Sequence, residues 1–468
     1  MNRLMLPMSM NEIAGLIHGL VQSGDGKKIA SGIAIDSRQV KRGDLFVAFH
    51  GQSMNGHEFV QAALSNGAVG ALVTEDVKTD LPGCIVRVDH PLKAVQTLAH
   101  HDRSLFGGPV IGVTGSNGKT TTKDMLSLVF TVRGECLATQ GNMNTELGLP
   151  LTLLRRSQSH RSIVLEMGMR GLGQIRELCD IANPTSGIIT NIGQSHIELL
   201  GSQENIAQAK GELLEALPRD GYAALPATDP WLRKIYTRSQ AQILWYAVSG
   251  DHFDGIETDS LFAFATDVEN SPTGVSFVAH LLGESVKVFL PTHGRHNVRN
   301  AIGALSLGAA YGLPLDAMAQ ALSQLKPSAG RLNVVAGRNG VIVIDDCYNA
   351  SPLSVRASLD VLSELGRDKV KVAILGDMLE LGPIEEAAHR SVGDYVAELG
   401  IDFVLAIGER SRFTAEQARH GGGEVHYAKT REEATDMLSS VVRDNSVVLV
   451  KASRGAGLEK IVEHLVAP

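Results

Sequence analysis

The stretch Gly115-Ser116-Asn117-Gly118-Lys119-Thr120-Thr121 is the part of this chain whose residue types and spacing are suited to handling phosphate. Glycines let backbone N–H groups turn toward phosphate oxygens, and a helix N-terminus adds partial positive charge. Lys119 is spaced to reach β- and γ-phosphates, and the Thr120 hydroxyl to sit on Mg²⁺. The strict G-x-x-x-x-G-K-[ST] form is not met, because Val113 stands where its first glycine would be. The context compensates. Residues 110–113 form a short apolar run suited to a buried strand, and Met125, Leu126, Val129 and Phe130 recur at helical spacing. A glycine turn before an ordinary helix is the bland alternative, but strand, loop and helix coincide here.

Further residues narrow the chemistry. Glu166 follows the apolar run 162–165, and Asn191 and His196 follow the run 187–189. With Thr120, Glu166 and His196 could hold a Mg²⁺. The ion prefers oxygen, so Glu166 suits it better than His196, which could equally be a capped-turn histidine. Lys210 lies on the helix expected after Ser202. It could contact phosphate, lie solvated, or be modified, since a partly buried lysine has a reactive neutral amine that CO₂ converts to an anionic carbamate. His296, Asn297 and Asn300 open another helix, where asparagines suit either an adenine edge or capping. Arg331, Asp346, Tyr348, Asn349, Lys451, Ser453 and Arg454 lie at strand ends or loops of a later unit. There they could face phosphates and ribose hydroxyls, or form surface ion pairs of little energetic weight.

The elements that must position these residues follow an α/β alternation. Ser9-Met-Asn-Glu12 is a capping box, with Leu16, Ile17 and Leu20 expected on one helix face. Strands are expected at 33–35, 43–49, 68–73 and 84–88, with a helix around 59–64, making a small unit ending near residue 88. Its polar strand ends, Asp36-Ser37-Arg38 and Asn55-Gly56-His57, are candidate ligand loops or ordinary turns. A helix over 92–101 leads into the phosphate loop. Strand 221–225 follows, then looser antiparallel strands at 274–282 and 286–290, and an alanine-rich helix over 301–311. From Gly330 a third alternation begins, with strands at 341–344, 370–375, 403–407 and 447–450. The stretch 251–270 receives no assignment.

Bulk properties agree. At 468 residues the chain exceeds one ordinary core, so two or three domains are expected. A net charge of −8 argues against nucleic acid as the main partner. Cys84, Cys136, Cys179 and Cys347 are scattered, which suits a reducing compartment and gives no zinc spacing. The start, Met-Asn-Arg-Leu-Met-Leu-Pro, has no signal-peptide apolar region, and no run of about 18 apolar residues offers a membrane span.

Taken together, Gly115-Ser-Asn-Gly-Lys-Thr-Thr-Thr122, Leu165-Glu-Met-Gly168, Thr190-Asn-Ile-Gly-Gln-Ser-His196, Ala209-Lys-Gly-Glu212, Gly294-Arg-His-Asn-Val-Arg-Asn-Ala301 and Gly330-Arg-Leu332 resemble the Mur ligase family. These are ATP-dependent amide-forming enzymes of peptidoglycan precursor synthesis. The resemblance covers essentially the whole chain. Asp345-Asp-Cys-Tyr-Asn-Ala-Ser-Pro352, Gly141-Asn-Met-Asn-Thr-Glu-Leu-Gly-Leu-Pro150 and Lys451-Ala-Ser-Arg454 are most similar to members that add D-alanyl-D-alanine to UDP-N-acetylmuramoyl-tripeptide. Thr145 departs from the usual second Asn, and Ser351 stands where Asn is common before the proline.

The resemblance implies three α/β domains: a small UDP-binding domain over 1–88, a central parallel-sheet P-loop ATPase domain over 89–326, and a C-terminal Rossmann-like domain over 327–468. It implies that Gly115, Ser116, Asn117, Gly118, Lys119, Thr120 and Thr121 hold ATP phosphates. Thr120 and Glu166 would ligate one Mg²⁺, and His196 with a carbamylated Lys210 would serve a second. Lys119, Glu166, His196 and Lys210 form the implied catalytic set. Asn297 and Asn300 would meet adenine, Arg331 the phosphates and Asp346 the ribose. Asp36, Ser37 and Arg38 would take the UDP-sugar end, Asn142, Asn144 and Thr145 the path toward the peptide, and Tyr348, Asn349, Ser453 and Arg454 the dipeptide. Closure of the third domain about residues 325–330 is expected, since an acyl phosphate must be kept from water. A cytoplasmic bacterial monomer is expected. The competing readings are another amide ligase of the family, such as a different amino-acid adder or a polyglutamate ligase, and a nucleotide-dependent switch that makes no bond.

Overall fold

The computed structural model describes residues 7–51, 54–253 and 260–466, so the first six residues of the N-terminal stretch considered above lie outside it. The capping box forms: Ser9 Oγ accepts from Glu12 N at 3.2 Å, and Glu12 Oε2 accepts from Ser9 N at 2.7 Å. The helix Met10–Leu16 is shorter than the apolar spacing suggested. His18 adopts φ 54°, which turns the chain, and Leu20 lies instead in the strand Leu20–Ser23, 67% exposed. The expected continuation of the helix face to Leu20 is therefore corrected.

Three larger sheets carry the described residues. The first runs Leu20–Ser23, Cys84–Arg87, Gly70–Val73, Asp44–Val47, Gly32–Ala34, with only its first pair antiparallel. The second has nine strands. Glu135–Ala138, His160–Glu166, Val110–Thr114, Ser186–Ile189, Tyr222–Pro226, Gln242–Val248 and Ala263–Ser271 are parallel neighbours in that order. Gly274–Leu281 and Glu284–Leu290 extend the edge antiparallel. The strand Ala263–Ser271 fills part of the unassigned stretch; only its first half buries alternate residues, so its pattern is weak. The third sheet runs Asn333–Ala336, Ile342–Asp346, Val447–Lys451, Lys371–Gly376, Phe403–Ile407, Glu424–Ala428, parallel except at its first pair.

In the nine-stranded sheet the strand period of two sends Ile111, Val113 and Val164 to one face. They meet Met125, Leu126 and Val129 of the helix Lys119–Thr131 there. Val110, Ile163 and Leu165 face the other way, among Leu98, Ile175 and Leu213. That second core is continuous with Leu45 and Leu72 of the first sheet and Met10 of the helix Met10–Leu16, through the helix Pro91–Ser104. The third sheet has separate cores around Ile344 and Leu449 on one face and Val343 and Val448 on the other. The first unit is thus anchored to the centre by shared apolar packing, while the third joins it through the segment between Leu322 and Asn333.

Candidate active site

The strand Val110–Thr114 lies between His160–Glu166 and Ser186–Ile189, so the loops after all three converge at their C-terminal ends, where open parallel sheets bind ligands. Gly115 has φ 145°, and a Cβ there would fall 1.9 Å from Thr190 Oγ1; Gly118 has φ 80° and caps the helix Lys119–Thr131. The loop is clasped by residues 190–193. Ser116 N donates to Asn191 O at 3.0 Å and Asn117 N to Asn191 Oδ1 at 3.1 Å, while Gly193 N donates to Ser116 Oγ at 2.8 Å. Two of the loop's own N–H groups therefore fix its shape. The first turn of the helix after Gly118 adds N–H groups that have no intrahelical acceptor.

Glu166 is buried at the end of its strand, accepting from Thr120 Oγ1 at 2.8 Å and Asn144 Nδ2 at 2.7 Å. Hydroxyl and carboxylate oxygens side by side are a donor set that fits a hard divalent cation. Lys119 Nζ donates to Gly115 O at 2.8 Å, and Lys210 Nζ donates to the same carbonyl at 3.0 Å. Burial is the main cause of lowered pKa at both lysines. Lys210, buried to 2% exposure, is depressed well below the ordinary lysine value, with the charge of Lys119 adding to the effect. Of the readings open for Lys210, a solvated helix residue is excluded. His196 has φ 64°, and its Nδ1 lies 2.6 Å from Glu380 Oε2 of the third unit, though not along a hydrogen-bond direction. Burial lowers its pKa, with Glu380 opposing and Lys119 and Lys210 reinforcing.

The helix Arg295–Ala310 begins at Arg295, so Asn297 and Asn300 lie inside its first two turns and both are buried. Asn297 Nδ2 donates to Thr292 Oγ1 at 3.2 Å and His293 O at 2.8 Å, and Asn300 Nδ2 donates to Asn297 Oδ1 at 3.3 Å. From the third unit, the Arg331 guanidinium lies 4.1 Å from the Tyr348 ring centroid, and Arg454 lies 5.4 Å from it. Asp346 accepts from Leu332 N at 3.1 Å and Ser358 Oγ at 2.6 Å and pairs with Lys451 Nζ. Ser351 Oγ donates to Asn117 Oδ1 at 2.9 Å, leaving Asn117 Nδ2 buried without a protein partner beside the phosphate loop.

One cleft of about 1020 Å³ gathers most of these residues: Ser116 to Thr121, Asn142, Asn144, Thr145, Glu166, His196, Lys210, Asn297, Asn300, Arg331, Asp346, Tyr348 and Asn349. That volume accommodates more than one small ligand. Gly115 lies just behind it, through its carbonyl. Ser453 and Arg454 are set back as well; Ser453 Oγ accepts from Leu379 N at 3.0 Å. Asp36, Ser37 and Arg38 are not in the cleft wall. Asp36 accepts from Arg38 N at 3.0 Å and pairs with its guanidinium, which holds the Asp36 carboxyl down to about 2. The cleft also includes Glu146, Arg170, Glu177, Arg299 and Leu353, which sequence reasoning passed over. Glu146 and Arg299 lie within stretches quoted above but were given no role there, while Arg170, Glu177 and Leu353 fall outside those stretches. Asp229, whose carboxylate accepts from Ile192 N at 2.7 Å, is another such residue.

Comparison with known proteins gives a consistent picture. The Mur ligase middle domain profile matches residues 113–308, the Mur ligase glutamate ligase domain residues 330–454, and the Mur ligase family catalytic domain residues 30–102. A Bacillus subtilis protein named UDP-N-acetylmuramoyl-tripeptide–D-alanyl-D-alanine ligase is 36% identical over 99% of both chains. The crystal structure of MurF from Acinetobacter baumannii superposes with a TM-score of 0.86 at 29% identity, covering 99% of each chain. MurF ligase from Thermotoga maritima, solved in complex with ADP, gives a TM-score of 0.79 at 29% identity over 92% of this chain and 96% of that one.

Proposed function

The chain belongs to the Mur ligase family, and on that premise we propose that it joins D-alanyl-D-alanine to UDP-N-acetylmuramoyl-tripeptide at the expense of ATP, through an acyl phosphate, giving the pentapeptide precursor of peptidoglycan. The observation that carries this reading is one shared cleft, where the phosphate loop, the Glu166 carboxylate and the Arg331–Tyr348 pair of the third unit converge. A nucleotide-dependent switch needs the first of these and not the others. Among the family's activities, the full-length similarity favours the D-alanyl-D-alanine adder over a polyglutamate ligase.

A carboxylate is a poor acyl donor because oxide would have to leave. Transfer of the γ-phosphoryl group to it gives an acyl phosphate; the neutral amine of the dipeptide then attacks, and phosphate leaves with its bonding electron pair. Lys119, Arg331 and the first turn after Gly118 bring positive charge to two anions that would otherwise repel. Asn117 Nδ2, buried and unpaired, is a donor suited to a phosphate oxygen. Thr120 and Glu166 would hold a Mg²⁺, and His196 with a carbamylated Lys210 a second; the ion would supply charge screening at the phosphates. Asn297 and Asn300 would recognise adenine, and Asp346 would take the ribose. Asn142, Asn144 and Thr145 would guide the peptide, and Tyr348, Asn349, Ser453 and Arg454 would hold the dipeptide.

Asp36, Ser37 and Arg38 lie outside the cleft, as a site for the distant uridine end of a long substrate would. We divide the chain accordingly into 1–88 for the UDP-sugar, 89–326 for ATP and 327–468 for the amine. No helix of the described residues is long and apolar enough to cross a membrane. A monomer working in the bacterial cytoplasm, where its nucleotide substrates are made, fits this reading.

Phosphate release with ATP, Mg²⁺ and UDP-N-acetylmuramoyl-tripeptide, with and without D-alanyl-D-alanine, tests the function. Release requiring both, with a UDP-pentapeptide by mass, is expected. Release with a different amine would change the assigned member, and none with any UDP-muramoyl acceptor would overturn the reading.

A further inference from the structure

Glu380 lies in the loop after the strand Lys371–Gly376, with φ 61°, in the left-handed region that residues other than glycine seldom occupy. The residue it faces across the domain boundary, His196, has the same unusual backbone, φ 64°. Their side chains meet at 2.6 Å between Oε2 and Nδ1, and Glu380 O accepts from Glu198 N at 3.4 Å. A Cβ on the neighbouring Gly382 would come within 3.1 Å of Glu198 Cα, so the loop is seated closely against this turn.

The loop is held firmly from its own side. Asp377 accepts from Ser411 N and Ser411 Oγ, both at 2.8 Å; Met378 N donates to His389 Nε2 at 3.1 Å; Leu379 N donates to Ser453 Oγ at 3.0 Å. Its anchor Ser453 is next to Arg454, which packs on Tyr348. His196 is in the cleft beside Lys119 and Lys210, whose charges it feels. A rigid strut therefore runs from the Tyr348 side of the cleft, through Glu380, to the histidine at the phosphate end.

We propose that Glu380 is a positioning residue for His196, orienting its imidazole toward the phosphate end across the contact the two units already make. The assignment rests on the function proposed above. The Glu380 carboxylate against the ring restricts its orientation by charge and contact, and losing a partner behind a ligating histidine typically weakens metal affinity or activity about 10- to 100-fold.

The test uses the full-length chain with Glu380→Gln, which keeps size and removes charge, and Glu380→Ala. Mn²⁺ binding to the ADP-loaded protein is titrated by electron paramagnetic resonance alongside steady-state turnover. The expected result for both variants is Mn²⁺ affinity weakened about tenfold and kcat lowered, with KM for D-alanyl-D-alanine unchanged and far-UV circular dichroism like the parent. Parental Mn²⁺ affinity in Glu380→Gln overturns the proposal, including when kcat falls, because Glu380 would then act only in general docking. The titration needs no acceptor, so it decides the role of Glu380 even if the parent fails to turn over the tripeptide, which would count against the function alone.

Discussion

Ser351 Oγ donates to Asn117 Oδ1 at 2.9 Å, tying the third unit to the phosphate loop of the central one. The same Oγ caps the helix Pro352–Leu365, accepting from Ser354 N at 3.4 Å. One hydroxyl thus links helix start and loop. Ser351→Ala should cost about 1 kcal/mol for the lost cap. Losing the inter-unit bond should cost a further ~1 kcal/mol, close to a fivefold fall in kcat/KM. Ser351→Asn, which caps equally well, should restore stability; denaturant midpoints and steady-state kinetics on both variants check this.

Removing Lys119 takes the cation from the centre of the phosphate loop. Lys119→Ala is expected to lower substrate-dependent phosphate release roughly 100- to 1000-fold, the usual scale for losing one preorganised electrostatic group. Glu166→Gln keeps both hydrogen bonds possible but removes the charge, so the Mg²⁺ concentration for half-maximal release should rise. An unchanged Mg²⁺ response would detach Glu166 from the metal role.

The depressed pKa of Lys210 means more neutral amine near pH 8 than an ordinary lysine has. With ¹³C-labelled bicarbonate, a carbamate resonance should appear by NMR, grow as pH rises and be missing in Lys210→Met. Its absence from the parent would leave Lys210 as an unmodified, buried lysine hydrogen-bonded to the Gly115 carbonyl.

Separate cores and a single connecting segment around 325–330 leave the third unit able to rotate. Small-angle scattering is expected to show compaction when nucleotide and acceptor are added together. An unchanged radius of gyration under saturation would remove closure from the mechanism.

His389 is buried, with Nε2 accepting from Met378 N at 3.1 Å and Nδ1 bonded to Glu385 O at 2.8 Å, an arrangement only the neutral ring supports. Burial accordingly lowers its pKa from 6.5. The unfolded chain binds this proton first as pH falls, so the stabilisation is present above about pH 6.5 and is lost below it, at about 1.4 kcal/mol per unit of depression. Thermal unfolding of His389→Gln between pH 7.5 and 5 should show a shallower loss than the parent; equal slopes would count against this role.

The phosphate loop, Glu166 and the alternation of strands and helices were legible in the sequence because they are local. Apolar runs, a glycine pair and a capping serine act within a few residues of themselves. The ends of the helix Met10–Leu16 and the strand Ala263–Ser271 were not, since one depends on a single left-handed residue and the other on neighbours far along the chain. Tertiary structure alone decided that Lys119 and Lys210 share one carbonyl, that Ser116 and Asn117 spend their N–H groups on Asn191, and that Asp36 to Arg38 lie outside the cleft. It alone brought Glu380, which no motif marked, to His196 from 184 positions away. Such pairings arise from packing between units, and spacing along the chain carries no signal of them.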